Sequence, residues 1–295
     1  MWSTSSDFVS DHYKLISVFK IELNDGISVT TRRNFVKLAA AGGMVAAAGP
    51  LMALNRLDIG VGTYSYHSLS IDDMIVQLNA LRVRRIEMSR GEFMLMNHPP
   101  DQLFRTTREK LDRAGIRCVS YYSATIKTQQ DVEDAIRFAK LLGSSNITGD
   151  ATGNILNRID QRLTEEGLTF GIHNHFFPNV RFAYESPEDV LNALSKLSKT
   201  MGATADTGHF ASCGYDPADA IRKLAPRLRM VHLKDVKAKG GEVNVLLGTG
   251  IARIPEVMQE LHRQSFSGLV AVEYEKEGDV DQDMAQEITF ARKLA

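Results

Sequence analysis

The sequence predicts an α/β protein built as a single (β/α)8 TIM barrel, on three observations. Short β-like runs alternate with amphipathic helix-like stretches from residue 55 onward, the pattern of βα units on a parallel sheet. Eight such strands are readable, each followed by a helix. Setting aside the first 48 of the 295 residues leaves a length close to the ~250 residues of one such barrel. The rival open, doubly wound sheet finds no G-x-G-x-x-G after the first strand to support a dinucleotide version.

The first strand is expected over 57–64. Ser70 then caps a helix whose first turn holds Asp72 and Asp73, where the helix dipole favours acids. The second strand spans 85–89, and a helix over 101–114 is closed by Gly115. The third strand covers 116–122. The next helix, 131–142, puts Val132, Ile136, Ala139 and Leu142 on one face and stops at Gly143. The fourth strand, 145–150, has the weakest pattern, and a helix over 155–166 ends at Gly167. The fifth strand spans 168–175. Ser186-Pro187-Glu188-Asp189 opens the next helix with a cap, a proline at the first position and acids in the first turn. The sixth strand, 201–206, leads to Asp216-Pro217, the same device. The seventh strand covers 228–236, a helix 255–264, the eighth strand 269–275 and a last helix 281–294.

Lys plus Arg number 35 and Asp plus Glu 36, a net charge of −1, which argues against a basic surface for nucleic acid or anionic lipid. Hydrophobic content of 43% and charged content of 24% exclude wholesale disorder. Two cysteines exclude a disulfide scaffold and a cysteine-based zinc module, so any metal must be held by histidine and carboxylate.

Residues 1–48 are read as a leader. Thr31-Arg32-Arg33-Asn34-Phe35-Val36-Lys37 precedes an apolar run over 38–48 that ends in Ala46-Ala47-Ala48. A charged start, a short apolar middle and a small-residue end describe an export signal. The run is too short to span a membrane, which takes about 20 residues. The segment resembles the twin-arginine (Tat) signal, departing only at Val36. That resemblance implies a periplasmic or extracytoplasmic protein, not stably inserted in the membrane after export. It also implies transport of an already folded chain, which suits a protein loaded with metal beforehand. Residues 1–30 show no periodicity and read as an upstream extension or leader.

Of the eight histidines, His12 lies in the leader and His262 in a helix; His67, His98, His173, His175, His209 and His232 fall near the C-terminal ends of expected strands. In a barrel those ends form the active face. Residues two apart in a strand share a side, which pairs His173 with His175 and His232 with Lys234. Asp206 ends the sixth strand. Glu273 stands in an apolar run, where a charge is costly unless paired or bound to a cation. Imidazole and carboxylate on four successive strands can converge on one divalent ion. Nitrogen and oxygen donors fit Mn, Zn, Fe or Co better than Ca. The candidate ligands are His173, His175, Asp206, His232 and Glu273. Duller readings stand beside them: satisfied barrel histidines at His173 and His175, Asp206 capping a turn before Gly208, and Glu273 ion-paired with Lys234. Tyr64, His67 and Glu87 are candidates to line the substrate pocket, Glu87 reading equally as a solvated loop acid. Cys118 reads as a small buried hydrophobe, Cys213 as a loop thiol, and Gly248-Thr249-Gly250 as a tight loop that could cradle phosphate.

At His173-Asn174-His175, Asp206-Thr207-Gly208-His209, His232-Leu233-Lys234-Asp235, Gly248-Thr249-Gly250 and the Glu273 strand, the sequence resembles the sugar phosphate isomerase/epimerase family, the xylose isomerase-like TIM barrels, over about residues 57–295. The resemblance implies a divalent metal held at the ends of strands five to eight by Glu, Asp, His and Glu, the two glutamates passing the proton. Asp206, His232 and Glu273 match, and His209 matches a substrate-contacting histidine. The fifth-strand glutamate does not: His173 stands there, so His173, His175 or Lys234 would have to supply the second acid/base beside Glu273.

The expected chemistry is proton abstraction beside the carbonyl of a small sugar or keto-sugar, giving isomerisation or epimerisation. The alternative is elimination by an exported 3-keto-glycoside lyase or deglycosidase. A non-catalytic sugar-binding barrel is a third reading. An apurinic-site DNA endonuclease shares the barrel but needs a basic groove and a richer metal cluster. The resemblance also allows a homodimer.

Overall fold

The computed structural model describes residues 56–276 and 280–295; the leader over 1–48 and its twin-arginine segment lie outside the described residues. Strands β1 (Asp58–Gly62), β2 (Arg85–Met88), β3 (Arg117–Thr125), β4 (Asn146–Asp150), β5 (Thr169–His173), β6 (Met201–Asp206), β7 (Leu228–Leu233) and β8 (Leu269–Val272) are all parallel and close in sequence order. Closure pairs Asp58 with Leu269 and Val61 with Val272. Helices α1 (Ile71–Ala80), α2 (Asp101–Arg113), α3 (Gln129–Leu142), α4 (Asn154–Glu166), α5 (Pro187–Leu194), α6 (Thr207–Cys213), α7 (Pro217–Leu224), α8 (Ile254–Arg263) and α9 (Asp281–Leu294) complete the (β/α)8 order, with α6 an extra turn before α7. Among the described residues no helix is long and apolar enough to cross a membrane.

The expected caps form. Ser70 Oγ accepts from Asp73 N–H at 3.1 Å, and Ser186 and Asp189 make a reciprocal capping box at α5. Gly143 and Gly167 end α3 and α4 in the left-handed region. Between helices and barrel, Phe104 and Phe138 stack at 4.1 Å with Tyr121 edge-on.

Several strands stop earlier than expected. β5 ends at His173 rather than 175, β7 at Leu233 rather than 236, and β8 at Val272 rather than 275. Past the ends of β7 and β8 side chains take over part of the pairing: Thr207 Oγ1, Ser65 Oγ and Asn244 Oδ1 accept from the N–H groups of Lys234, Tyr274 and Glu275. β3 runs longer, with its register against β4 shifting between Tyr122 and Ala124. α6 has no counterpart among the expected helices: it has seven residues, six of them buried, so it carries no amphipathic period. Cys213 accordingly ends a helix rather than lying in a loop.

Inside the barrel, alternate residues face inward. Met230, Leu269 and Ala271 form an apolar floor. Above it, Ser120, Thr148 and Thr204 touch through their hydroxyls at 3.1 and 3.0 Å. Gly171 makes that contact possible, since a Cβ there would lie 2.1 Å from Thr204 Oγ1. The loop after β7 is strapped by Asp235: its carboxylate accepts from the N–H groups of Val236, Gly248, Gly250 and Ala252, each at 2.9 Å. The two glycine amides of Gly248-Thr249-Gly250 are thus turned inward onto an acid, which corrects the reading of that loop as a phosphate cradle.

Candidate metal centre

Residues from four neighbouring strands meet at the C-terminal mouth. Asp206 is the N-cap of α6, its Oδ1 accepting from His209 N–H at 2.8 Å. Asn174 clamps its backbone, accepting from Asp206 N–H at 2.8 Å and donating to Asp206 O at 3.1 Å. The cap and the cluster are therefore the same residue. One oxygen is spent on the helix, while Oδ2 is buried with no hydrogen-bond partner among the described residues.

Asp206 Oδ2 lies 3.8 Å from His173 Nε2 and 3.7 Å from His232 Nδ1. His232 Nδ1 is 3.2 Å from His173 Nε2 and 3.0 Å from Glu273 Oε2. Asp206, His232 and Glu273 offer ligand atoms within 4.8 Å of one another, as do His173, Asp206 and His209. Ligands bound about 2.0–2.2 Å from one ion stand roughly 3–3.6 Å apart; the 3.0 and 3.2 Å spacings fall in that range and the 3.7 and 3.8 Å ones just beyond it, so small side-chain shifts would bring all four onto a shared cation. The donor set of imidazole and carboxylate suits a first-row transition ion or zinc. An orphaned buried carboxylate oxygen is the atom such an ion would satisfy.

The charges agree. Burial would raise the carboxyl of Asp206, but His209, Lys234, His173 and His232 hold it well below the usual range. Burial likewise opposes ionisation of Glu273, and His232 and Lys234 outweigh it. Burial would neutralise His232, yet Glu273 and Glu87 push it well above an ordinary imidazole. His209 is pushed the other way by burial, with Lys234, His175 and His173 adding to it. Burial, His173 and Lys234 also lower His175, to about 4.

Other expected residues fall in different places. His175 lies past the end of β5, its ring 4.3 Å from His209 and 4.5 Å from Phe182. It lines the cavity but belongs to neither group of convergent ligand atoms. Lys234 pairs with Glu275, Nζ to Oε1 2.6 Å, rather than with Glu273. Its stem passes over Gly208, where a Cβ would come within 2.7 Å of it. Glu87 is fully buried behind His232, with Oε2 at 2.6 Å from His232 Nε2, and does not line the pocket. Tyr64 does line it, its ring stacked on His67 at 5.2 Å, which leaves His67 off the wall. His98 is exposed and away from the cavity. Cys118 is buried, as expected.

The cavity above the cluster measures about 330 Å³. Tyr64, Tyr122, Phe176 and Phe177 give it aromatic walls, and Ser89, Asn244 and Glu275 give it polar ones. Phe176, Phe177 and Asn244 come from the long loops after β5 and β7, where no periodicity marks a residue as inward-facing. Their chemistry is visible in the sequence, but their position is not.

The model of the xylose isomerase-like TIM barrels matches residues 86–294. The chain belongs to this family. Among relatives of this xylose isomerase-like barrel, the rhizopine catabolism protein MocC of Rhizobium meliloti is 26% identical over 159 residues, 48% of this chain and 46% of that protein. An inosose dehydratase of Bacillus thuringiensis is 26% identical over 138 residues, 41% and 45% of the two chains. The chain spans about half the length of these curated relatives. A solved structure of an uncharacterised Parabacteroides distasonis protein superposes with TM-score 0.61 at 24% identity, covering 81% of this chain and all of that one. The structure of IolI with a bound zinc atom gives TM-score 0.61 at 13% identity, covering 81% and 96%. A D-tagatose 3-epimerase-like protein shares the fold as well, with TM-score 0.62 at 19% identity, covering 80% of this chain and 97% of that one.

Proposed function

We propose that this chain is a divalent-metal-dependent enzyme that removes a proton next to the carbonyl of a keto-sugar or cyclic keto-polyol, with elimination of the β-hydroxyl as the outcome. The convergence of His173, Asp206, His232 and Glu273 carries the proposal. These four would hold the ion, Mn, Zn, Fe or Co. When bound, such an ion polarises a carbonyl oxygen and makes the neighbouring C–H acidic.

The chain's own groups supply the rest. Glu273, kept ionised by His232 and Lys234, is the acceptor for the proton leaving carbon. Lys234 lines the cavity as a buried ammonium paired with Glu275, and it carries the proton passed to the departing hydroxyl, which leaves as water while the C=C bond forms. The aromatic walls fit the apolar faces of a hydroxylated ring, and Asn244 and Ser89 offer hydrogen bonds to its rim.

Elimination needs one base and one acid. Epimerisation through two carboxylates lacks an arm here, because His173 stands at the end of β5 and is drawn against His232. The inosose dehydratases among the relatives support the same outcome. Isomerisation or epimerisation is the second reading, favoured by Lys234, which lines the same cavity and offers a second proton carrier. Export by the twin-arginine route, read from residues 31–48, is part of the proposal.

The test is incubation of metal-loaded protein in heavy water with a panel of keto-sugars and keto-inositols, followed by NMR. Label beside the carbonyl together with a dehydrated product is expected. Label without loss of water would favour the second reading. No label on any member, with metal bound, would leave a sugar-binding barrel.

A further inference from the structure

We infer that Glu87 is a positioning residue that decides which nitrogen His232 offers to the ion; this rests on the metal reading above. Glu87 comes from β2, on the far side of the barrel from the strands that carry the cluster, and its side chain is fully buried. A buried carboxylate needs donors for both oxygens. Glu87 Oε1 accepts from Ser120 Oγ at 2.8 Å, and Oε2 faces His232 Nε2 at 2.6 Å.

The direction of each hydrogen bond follows from which groups can only donate. Asn146 turns its amide oxygen to the Thr169 hydroxyl at 2.8 Å, so its NH2 faces Ser120 Oγ at 3.0 Å and Thr148 Oγ1 at 3.3 Å. Ser120 Oγ accepts there, and its own proton goes to Glu87. Glu87 is then an acceptor at Oε1 and, as a carboxylate, also at Oε2. His232 must therefore carry a proton on Nε2. Nδ1 is then the nitrogen facing Asp206 Oδ2, Glu273 Oε2 and His173 Nε2 at 3.0–3.7 Å; without an ion it carries the proton that Glu273 accepts, and a bound ion would take that proton's place. A chain of Asn146 amide, Ser120 hydroxyl, Glu87 carboxylate and His232 imidazole thus runs through the barrel interior and ends on the ring whose Nδ1 would bind the ion. Carboxylate-to-imidazole contacts of this kind orient the ring and raise its basicity toward a metal.

The test uses zinc-loaded full chain, histidine-labelled with nitrogen-15. Long-range proton–nitrogen spectra distinguish a metal-bound ring nitrogen from a protonated one, and competition with a chelator measures zinc affinity. The wild type should show His232 bound through Nδ1 and protonated at Nε2. Glu87→Gln should weaken zinc binding by about 10- to 100-fold. Ser120→Ala, which keeps Glu87 but removes its second donor, should weaken it by about fivefold and serves if the first variant does not fold. Ligation through Nε2, or a zinc affinity within about twofold of wild type in both variants, overturns the assignment while leaving the metal centre standing. A wild type that takes up no zinc overturns the assignment and the metal reading together.

Discussion

Glu273 follows the four apolar residues of β8 and is 7% exposed, a position where an isolated carboxylate would be protonated. It stays charged because His232 Nδ1 is 3.0 Å away and Lys234 lies beside it. In the proposed reaction it serves both as a ligand to the ion and as the proton acceptor. Glu273→Gln keeps the shape and removes both roles. Heavy-water exchange beside the substrate carbonyl should then fall by about 10²- to 10⁴-fold, and full exchange in the variant would remove Glu273 from the mechanism. His175 shows the limit of reading single residues: its spacing from His173 suggested a shared side, but β5 ends between them, and beyond the strand the period of two no longer holds.

Among the elements, α9 and the loop after β7 are joined by a buried acid. Glu287 on α9 faces Leu247 N–H with both oxygens, at 3.1 and 3.3 Å. Burial, with Asp235 and Asp283 adding to it, raises its pKa to about 8. The folded chain therefore holds a proton there that the unfolded chain releases near the ordinary value of 4.5. Its contribution to stability is complete below that value and is lost as pH rises through about 8. Denaturant unfolding across pH 5–9 should show Glu287→Gln losing about 1–3 kcal/mol less than wild type. Parallel curves for the two proteins would contradict the linkage. Elements of this kind divide what the sequence reveals. Helix caps at Ser70, Ser186 and Gly143 are written in local chemistry and were readable residue by residue. The strand order followed from alternation alone. What could not be read were long-range partners. A strand pattern gives the side on which Glu87 points, but not that His232, 145 residues away, lies opposite. It also gives no sign that the Gly248 and Gly250 amides are taken by Asp235.

At the scale of the molecule, the cluster exists only once the barrel is closed. Three of its residues stand at or next to the ends of β5, β6 and β7 and Glu273 directly follows β8, which is held on its other edge by β1, some 210 residues earlier in the chain. A site assembled by global folding suits export of a folded protein. If residues 31–37 are a twin-arginine signal, replacing Arg32 and Arg33 by lysine should confine the protein to the cytoplasmic fraction, and undiminished export would refute the signal. In the proposed metal centre one divalent ion would sit where buried Asp206 Oδ2 has no hydrogen-bond partner among the described residues. Metal analysis and calorimetric titration of untagged wild type and Asp206→Ala test it directly. One equivalent in the wild type and none in the variant is the expected result. No metal in the wild type, or a full equivalent still bound by Asp206→Ala, would contradict it.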